Sequence, residues 1–334
     1  MKKKVLSIIL IFAMALSFVP SFRIGASAEA PTPTTVTYQG YDDGSKEFIE
    51  VTLSGEGEQS FTTISEGNST SRVKWAAGTY VIGADYDEDG DIDAYDATLA
   101  KNDGLLRNFK FSKGIDCTGD VNIIVVYGFT LTATAANKSA KAGISIAEGC
   151  KLKIYSQADG NGTISATGKA DDNDATKATK SGAGIGGNAG EACGEVDIYG
   201  GKITAKCGKN AAGIGGGYVS SNIKSCTVKI YGGVVTATGG ENAAAIGGAY
   251  QESCLVSLCG GVIYTNGGED SVSIGDGKNA SAIGVVNATD MYAKVSDTEG
   301  SFTQTGVKAT KDVLTKRYAV LAPKFSILLD GTDL

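Results

Sequence analysis

One phrase recurs four times between residues 182 and 276. It reads Gly182-Ala-Gly-Ile185-Gly-Gly187, Ala211-Ala-Gly-Ile214-Gly-Gly216, Ala243-Ala-Ala-Ile246-Gly-Gly248 and Ser271-Val-Ser-Ile274-Gly-Asp276. Its isoleucines stand 29, 32 and 28 residues apart. A period in this range marks a stacked array in which one supersecondary unit is laid on the next. A second pattern fills the intervals: Val196-Asp-Ile198-Tyr-Gly-Gly-Lys-Ile203-Thr-Ala205, with copies from Val228 to Ala237 and from Val256 to Thr265.

Each copy holds three short strands. Val196 and Ile198 alternate with Asp197 and Tyr199, the period-2 pattern of a half-buried strand. Gly200-Gly201 turns the chain, Ile203 and Ala205 point inward with Thr204 outward, and Ala212 and Ile214 supply a third side. A helix does not tolerate this material, since each glycine costs up to about 1 kcal/mol against alanine. The reading is an all-β chain: a right-handed parallel β-helix with three-strand coils of about 28–32 residues. No coil buries its own apolar face, so the stack stabilises as a unit.

The chain divides accordingly. Residues 1–28 have the layout of a secretory signal: Lys2-Lys3-Lys4, an apolar run from Val5 to Val19, and Ala26-Ser27-Ala28 before cleavage. Residues 29–72 form a linker and small β cap, with strand-like runs at Val36–Tyr38, Phe48–Leu53 and Phe61–Ile64. Residues 73–284 are the β-helix, and 285–334 a C-terminal β cap. A secreted or cell-surface location follows, with no membrane span once the signal is removed. The chain carries a net charge of −7. Losing the signal removes three lysines and Arg23 and no acid, which argues against nucleic acid and anionic membranes as partners. Trp75, the single tryptophan, is placed in the core where cap meets solenoid.

Residues 85–96 interrupt the β pattern with Asp85, Asp87, Asp89, Asp91, Asp93 and Asp96 at positions 1, 3, 5, 7, 9 and 12, and Gly90 at position 6. That spacing gives all-oxygen ligation and the sharp turn of an EF-hand calcium loop, so Ca²⁺ is the expected cofactor. Ile92 is the apolar anchor, and a short helix should follow over 97–101. With Asp rather than Glu at the last position, residues 85–101 resemble one dockerin-type repeat. Dockerins carry two such repeats, and this chain has one, with Ala94-Tyr95 where many dockerins have hydroxyl residues. A cohesin partner is therefore not expected.

Tyr127, Tyr155, Tyr199 and Tyr231 each end the first strand of a coil, with Cys259 in the last copy. Stacked coils would align the rings into an outward stripe beside Lys153, Asp197 and Lys229. Outward aromatic ladders stabilise sheets by about 0.2–1 kcal/mol per pair. Tyrosine faces also suit sugar rings, so Tyr127, Tyr155, Tyr199, Tyr231, Lys153 and Lys229 are the candidate carbohydrate-binding residues. The alternating Gly-Ile-Gly-Gly and Val-x-Ile-Tyr-Gly-Gly phrases, after a secretion signal and Gly78-Thr-Tyr-Val-Ile82, resemble a family of secreted β-helical surface proteins of Gram-positive anaerobes, described as carbohydrate-binding-domain or adhesin-like. The resemblance spans about residues 75–320 and implies a polysaccharide or glycan ligand, or an adhesive solenoid. It brings no defined ligand residue.

Enzymatic chemistry is the least supported class. The chain has no histidine, which removes Ser-His-Asp and Cys-His systems. Asp197 is the only outward acid on the repeat strands, whereas a glycosidase needs two flanking carboxylates. Seven cysteines are present. Cys226 and Cys254 share a coil position and Cys193 lies one residue off. Buried reduced thiols are expected, with coil-to-coil bridges the alternative.

Overall fold

The computed structural model describes residues 35–323 apart from 43, 55–59, 65–67, 88, 104, 106, 158–161, 172–179, 221–222, 281–285 and 289. The signal segment, most of the linker and the middle of the polar insertion 169–181 lie outside the described residues.

The chain winds into a parallel β-helix with three sheets. The first sheet has eight strands, from Phe61–Ile64 to Val286–Ala288, and the third has seven, from Val73–Trp75 to Ile274–Gly275. The second has ten and extends into the C-terminal region. The sequence repeat sets the register. Val196 pairs with Val228, and Val228 with Val256, in the first sheet. Ile203, Val235 and Ile263 align in the second. Ile185, Ile214, Ile246 and Ile274 align in the third, continued by Ile144 and Ile115. These side chains are buried and form the core ladder. Each contributes roughly 1.5–3 kcal/mol by leaving water.

The glycine after each repeat isoleucine is demanded by the stacking. Gly186, Gly215 and Gly247 have φ of +140°, +129° and +133°. A Cβ on them would lie 1.8, 2.1 and 1.9 Å from the carbonyl oxygen of the next coil's glycine. Any side chain there would hold the coils apart and break the third sheet.

Both ends differ from expectation in construction. The first coil is Phe61–Ile64, Asn68–Ser69 and Val73–Trp75, so the solenoid starts before residue 73. Trp75 is 4% exposed and stacks on Tyr80 at 4.5 Å, in the core as expected. What remains ahead of it is an antiparallel hairpin, Thr35–Asp42 with Glu47–Ser54, which packs against the side of the coils. At the other end Tyr318–Pro323 pairs antiparallel with Val262–Asn266, and Met291–Ser296 and Gln304–Lys308 follow. The C-terminal cap thus prolongs the second sheet.

The cysteine expectation is also corrected. Cys226 and Cys254 are disulfide-bonded across adjacent coils with Cα atoms 4.8 Å apart. The in-register stacking of two first-sheet strands delivers this spacing. Cys193 and Cys117 stay as buried thiols, their pKa values raised by burial. Among the described residues no helix is long and apolar enough to cross a membrane.

Candidate functional site

Three places carry polar or aromatic groups that the core does not require: the acidic loop, the outer face of the first sheet and the outer face of the second.

The acidic loop leaves the solenoid after Gly78–Ile82 and returns at Asn108–Phe111. Ile92 is fully buried and anchors it. Gly90, at the sixth position, has φ +91°. A helix, Ala94–Asp103, begins inside the loop's last turn and buries Ala97 and Ala100. Asp85, Asp87 and Asp89 converge, with one oxygen from each within 4.8 Å of the others. Asp93 and Asp96 tie the helix start: the Asp93 amide donates to Asp96 Oδ2 at 2.9 Å and the Asp96 amide to Asp93 Oδ1 at 3.4 Å. Asp91 accepts from Thr35 Oγ1 at 3.0 Å, and Thr35 N donates to the Gly90 carbonyl at 3.1 Å, fastening the hairpin to the loop. Gln157 fastens it to the coils by donating to the Ile92 carbonyl at 3.2 Å and accepting from Tyr127 N at 3.1 Å. Burial raises Asp96 to about 6, opposed by its backbone hydrogen bonds and reinforced by the charges of Asp87 and Asp85. Asp87 is raised as well, by desolvation and then by its acidic neighbours. Converging oxygen donors that resist sharing their charge, around a left-handed glycine, fit the chemistry of a Ca²⁺ ion.

On the first sheet the tyrosine stripe forms but is not open. Tyr155 and Tyr199 stack at 4.8 Å and 5°, and Tyr199 and Tyr231 at 4.7 Å and 8°. The hairpin covers them. Tyr38 meets Tyr155 edge-on at 4.9 Å, and Tyr41 lies 5.5 Å from Tyr199 and 4.6 Å from Tyr231. Only 8% of Tyr155 and 6% of Tyr199 remain exposed. The expectation of an outward, accessible stripe is corrected here: alternation fixes which way a side chain points, not what lies over it. Tyr127 is outside the stack, because Ile124 is the residue in register with Tyr155. It is exposed on its own.

Much of the charged row beside the stripe is paired within the sheet. Lys229 pairs with Glu195, and Lys151 lies 3.1 Å from Glu195 and 3.7 Å from Asp197. Burial alone would raise Glu195, but Lys229 and Lys151 hold it below its ordinary value. Asp197 is raised to about 6, first by burial and then by Glu195. Its Oδ1 is buried without a hydrogen-bond partner. Lys153, in register with Asn122 and Asp197, is half-buried in the same row.

The second sheet offers the surface that sequence reasoning missed. Where Val262–Asn266 meets the C-terminal strands, a groove of about 260 Å³ is lined by Thr236, Thr238, Tyr264, Asn266, Phe302 and Tyr318, with Glu299 at the same place. Tyr264 is 44% exposed. Tyr318 carries Arg317 over its ring at 5.1 Å. Asn266 Oδ1 is buried and has no hydrogen-bond partner, leaving a carbonyl acceptor unsatisfied at the groove. The sequence held one signal: the repeat's Val-Thr-Ala-Thr (235–238) becomes Ile-Tyr-Thr-Asn (263–266), a departure at the two outward positions.

A family model described as Beta helix repeat matches residues 196–218 and 228–250. No curated protein and no solved structure shows a match to the chain. The matched segments are the coils whose ladders run through all three sheets, and with those sheets they make the chain a β-helical repeat protein.

Proposed function

We propose that the chain is an extracellular polysaccharide-binding β-helix, with Ca²⁺ in the 85–96 loop steadying its N-terminal side. The observation that carries the reading is the groove on the second sheet. Aromatic rings and hydroxyls on a rigid sheet are the groups that take the apolar faces and hydroxyls of sugar rings. The coil-to-coil disulfide supports an oxidising compartment. Asp85, Asp87, Asp89 and the Asp91 carbonyl would hold the ion, with Asp93 and Asp96 completing the loop. Its role is structural, since the same loop carries the hairpin through Thr35 and the coils through Gln157. One loop whose helix turns Ala97 and Ala100 inward favours that role over cohesin capture.

A second reading, an adhesive solenoid that contacts proteins, is favoured by one observation. Phe48 and Ile49 on the outer strand of the hairpin are 40% and 45% exposed. The two readings part in one experiment. Tyr264→Ala with Phe302→Ala should abolish retention on insoluble polysaccharide in affinity electrophoresis while far-UV circular dichroism stays β-type. Unchanged retention, or retention lost only on Phe48→Ser with Ile49→Ser, overturns the glycan reading.

A further inference from the structure

The second sheet differs from the rest of the molecule in charge. The chain has 37 acidic residues against 30 basic ones. Among the described residues, the ten strands of this sheet contain no Asp or Glu, yet they carry Lys110, Lys202, Lys206, Lys294 and Lys308. No ion pair engages any of these five among the described residues, whereas the lysines 151 and 229 of the first sheet are spent on Glu195 and Asp197. Lys110, Lys202 and Lys206 are exposed.

These lysines share the surface with rows of hydroxyls. The parallel register places Lys110, Thr132, Ser165, Thr204, Thr236 and Tyr264 in one outward row along the solenoid axis. Antiparallel pairing continues it through Val320 to Lys294. The neighbouring row runs Thr134, Thr167, Lys206, Thr238, Asn266 and Tyr318. Lys202 and Lys206 flank Thr204 on one strand, so the middle coil presents two cations around a hydroxyl. Both rows run into the groove, which Thr236, Thr238, Tyr264, Asn266 and Tyr318 line.

From this we infer that the second sheet is a track for an extended anionic polysaccharide lying along the solenoid axis, about one sugar per coil, with the acidic group of the sugar at the middle coil between Lys202 and Lys206 and one end in the aromatic groove. The inference rests on the glycan reading and adds the orientation and chemical class of the ligand. Coils are spaced by about 4.8 Å, close to the advance of one pyranose unit in a stretched chain, and the row from Lys110 to Tyr264 covers about 24 Å. The hydroxyl rows repeat at nearly every coil and the polymer repeats at every sugar, so hydroxyl contacts add along the axis while the lysines supply charge at single coils. A lysine face with no acid on its strands, on a net-negative protein, favours an anionic partner there.

The test uses the full chain in calorimetric titrations with polygalacturonate, galacturonate oligomers of increasing length, a neutral β-glucan and poly-glutamate. Affinity should rise with oligomer length over several sugars and fall as salt is raised. Lys202→Gln with Lys206→Gln should weaken polygalacturonate by about tenfold and leave the neutral β-glucan as it was. Neutral and acidic polymers bound equally, no length dependence beyond a disaccharide, or a silent double variant would each overturn the track while leaving glycan binding at the groove intact. Poly-glutamate bound as tightly as polygalacturonate would reduce the face to unspecific charge and overturn the assignment. If none of the glycans binds, the glycan reading falls together with the track.

Discussion

The outer faces of the first and second sheets are built by the same repeat and put to different use. The first carries the more conspicuous pattern: three stacked tyrosines beside a row of alternating charge. It is covered by the hairpin through Tyr38 and Tyr41, and its Lys151 and Lys229 are matched by Glu195 and Asp197. The second carries plain rows of Thr, Ser and Lys without an acid, and its aromatic rings gather at one end. The first-sheet tyrosines have ring partners and Lys151 and Lys229 have counter-charges, although Asp197 Oδ1 lacks a hydrogen-bond partner there too. The second face keeps lysines that no ion pair engages among the described residues, and unpaired cations are free to meet an anion from outside.

The largest way to break this comparison is to strip the tyrosine ladder. Tyr199→Ala with Tyr231→Ala should cost about 3–5 kcal/mol or more, as buried aromatic truncations do, and lower the melting temperature without changing glycan retention. Retention lost at unchanged stability would restore the ladder as the binding face. Next comes the disulfide, which joins adjacent coils of the same sheet. Cys226→Ser with Cys254→Ser should destabilise by about 3 kcal/mol, read by urea denaturation under oxidising conditions. A thiol reductant should then shift the parent protein but not the variant.

The hairpin gives the third test. Chelation should lower the melting temperature and raise proteolysis near the hairpin, since Thr35 bonds both Gly90 and Asp91. Asp85→Ala with Asp89→Ala should remove the response to Ca²⁺ in titration calorimetry. Equal Ca²⁺ uptake by parent and variant would show the loop to be a solvated acidic turn. The smallest effect concerns Asp197. Burial holds its pKa above the ordinary value, at about 6, so the folded state binds its proton more tightly than the unfolded chain does. The stability this gives is fully present below the unfolded pKa and is lost as pH rises through about 6. Asp197→Asn should therefore raise the melting temperature at pH 8 relative to the parent more than it does at pH 4. A uniform shift at both values would mean that Asp197 is not buried as a charge.

Much of the fold was legible because the repeat is itself the register. Ile185, Ile214, Ile246 and Ile274, spaced as the repeat spaces them, are the residues that align in the third sheet. The turn of the acidic loop was legible for a similar reason, since a glycine and an apolar residue at fixed places fix its path, and Gly90 takes the left-handed turn while Ile92 is buried. What alternation did not carry is tertiary cover. It points Tyr155 outward but does not say that the hairpin 35–54 folds back over coils more than a hundred residues away. Nor does it fix register across unequal turns, which is why Ile124 rather than Tyr127 lies beside Tyr155. The second-sheet groove needs residues from Thr236 to Tyr318 and forms only when the antiparallel strands close on Val262–Asn266. Its one local trace is the place where the last repeat departs from its own pattern, at Tyr264 and Asn266.

Hydroxyl-radical footprinting with and without saturating polygalacturonate tests the central claim most directly, because the molecule supplies its own control. Tyr264 on the second sheet is 44% exposed and Tyr127, after the first-sheet strands, is 45% exposed. Oxidation of Tyr264, with Phe302 and Tyr318, should be suppressed by the polymer, and oxidation of Tyr127 should be unchanged. Protection of Tyr127, or of Tyr155, Tyr199 and Tyr231 with Tyr264 left open, would contradict the account.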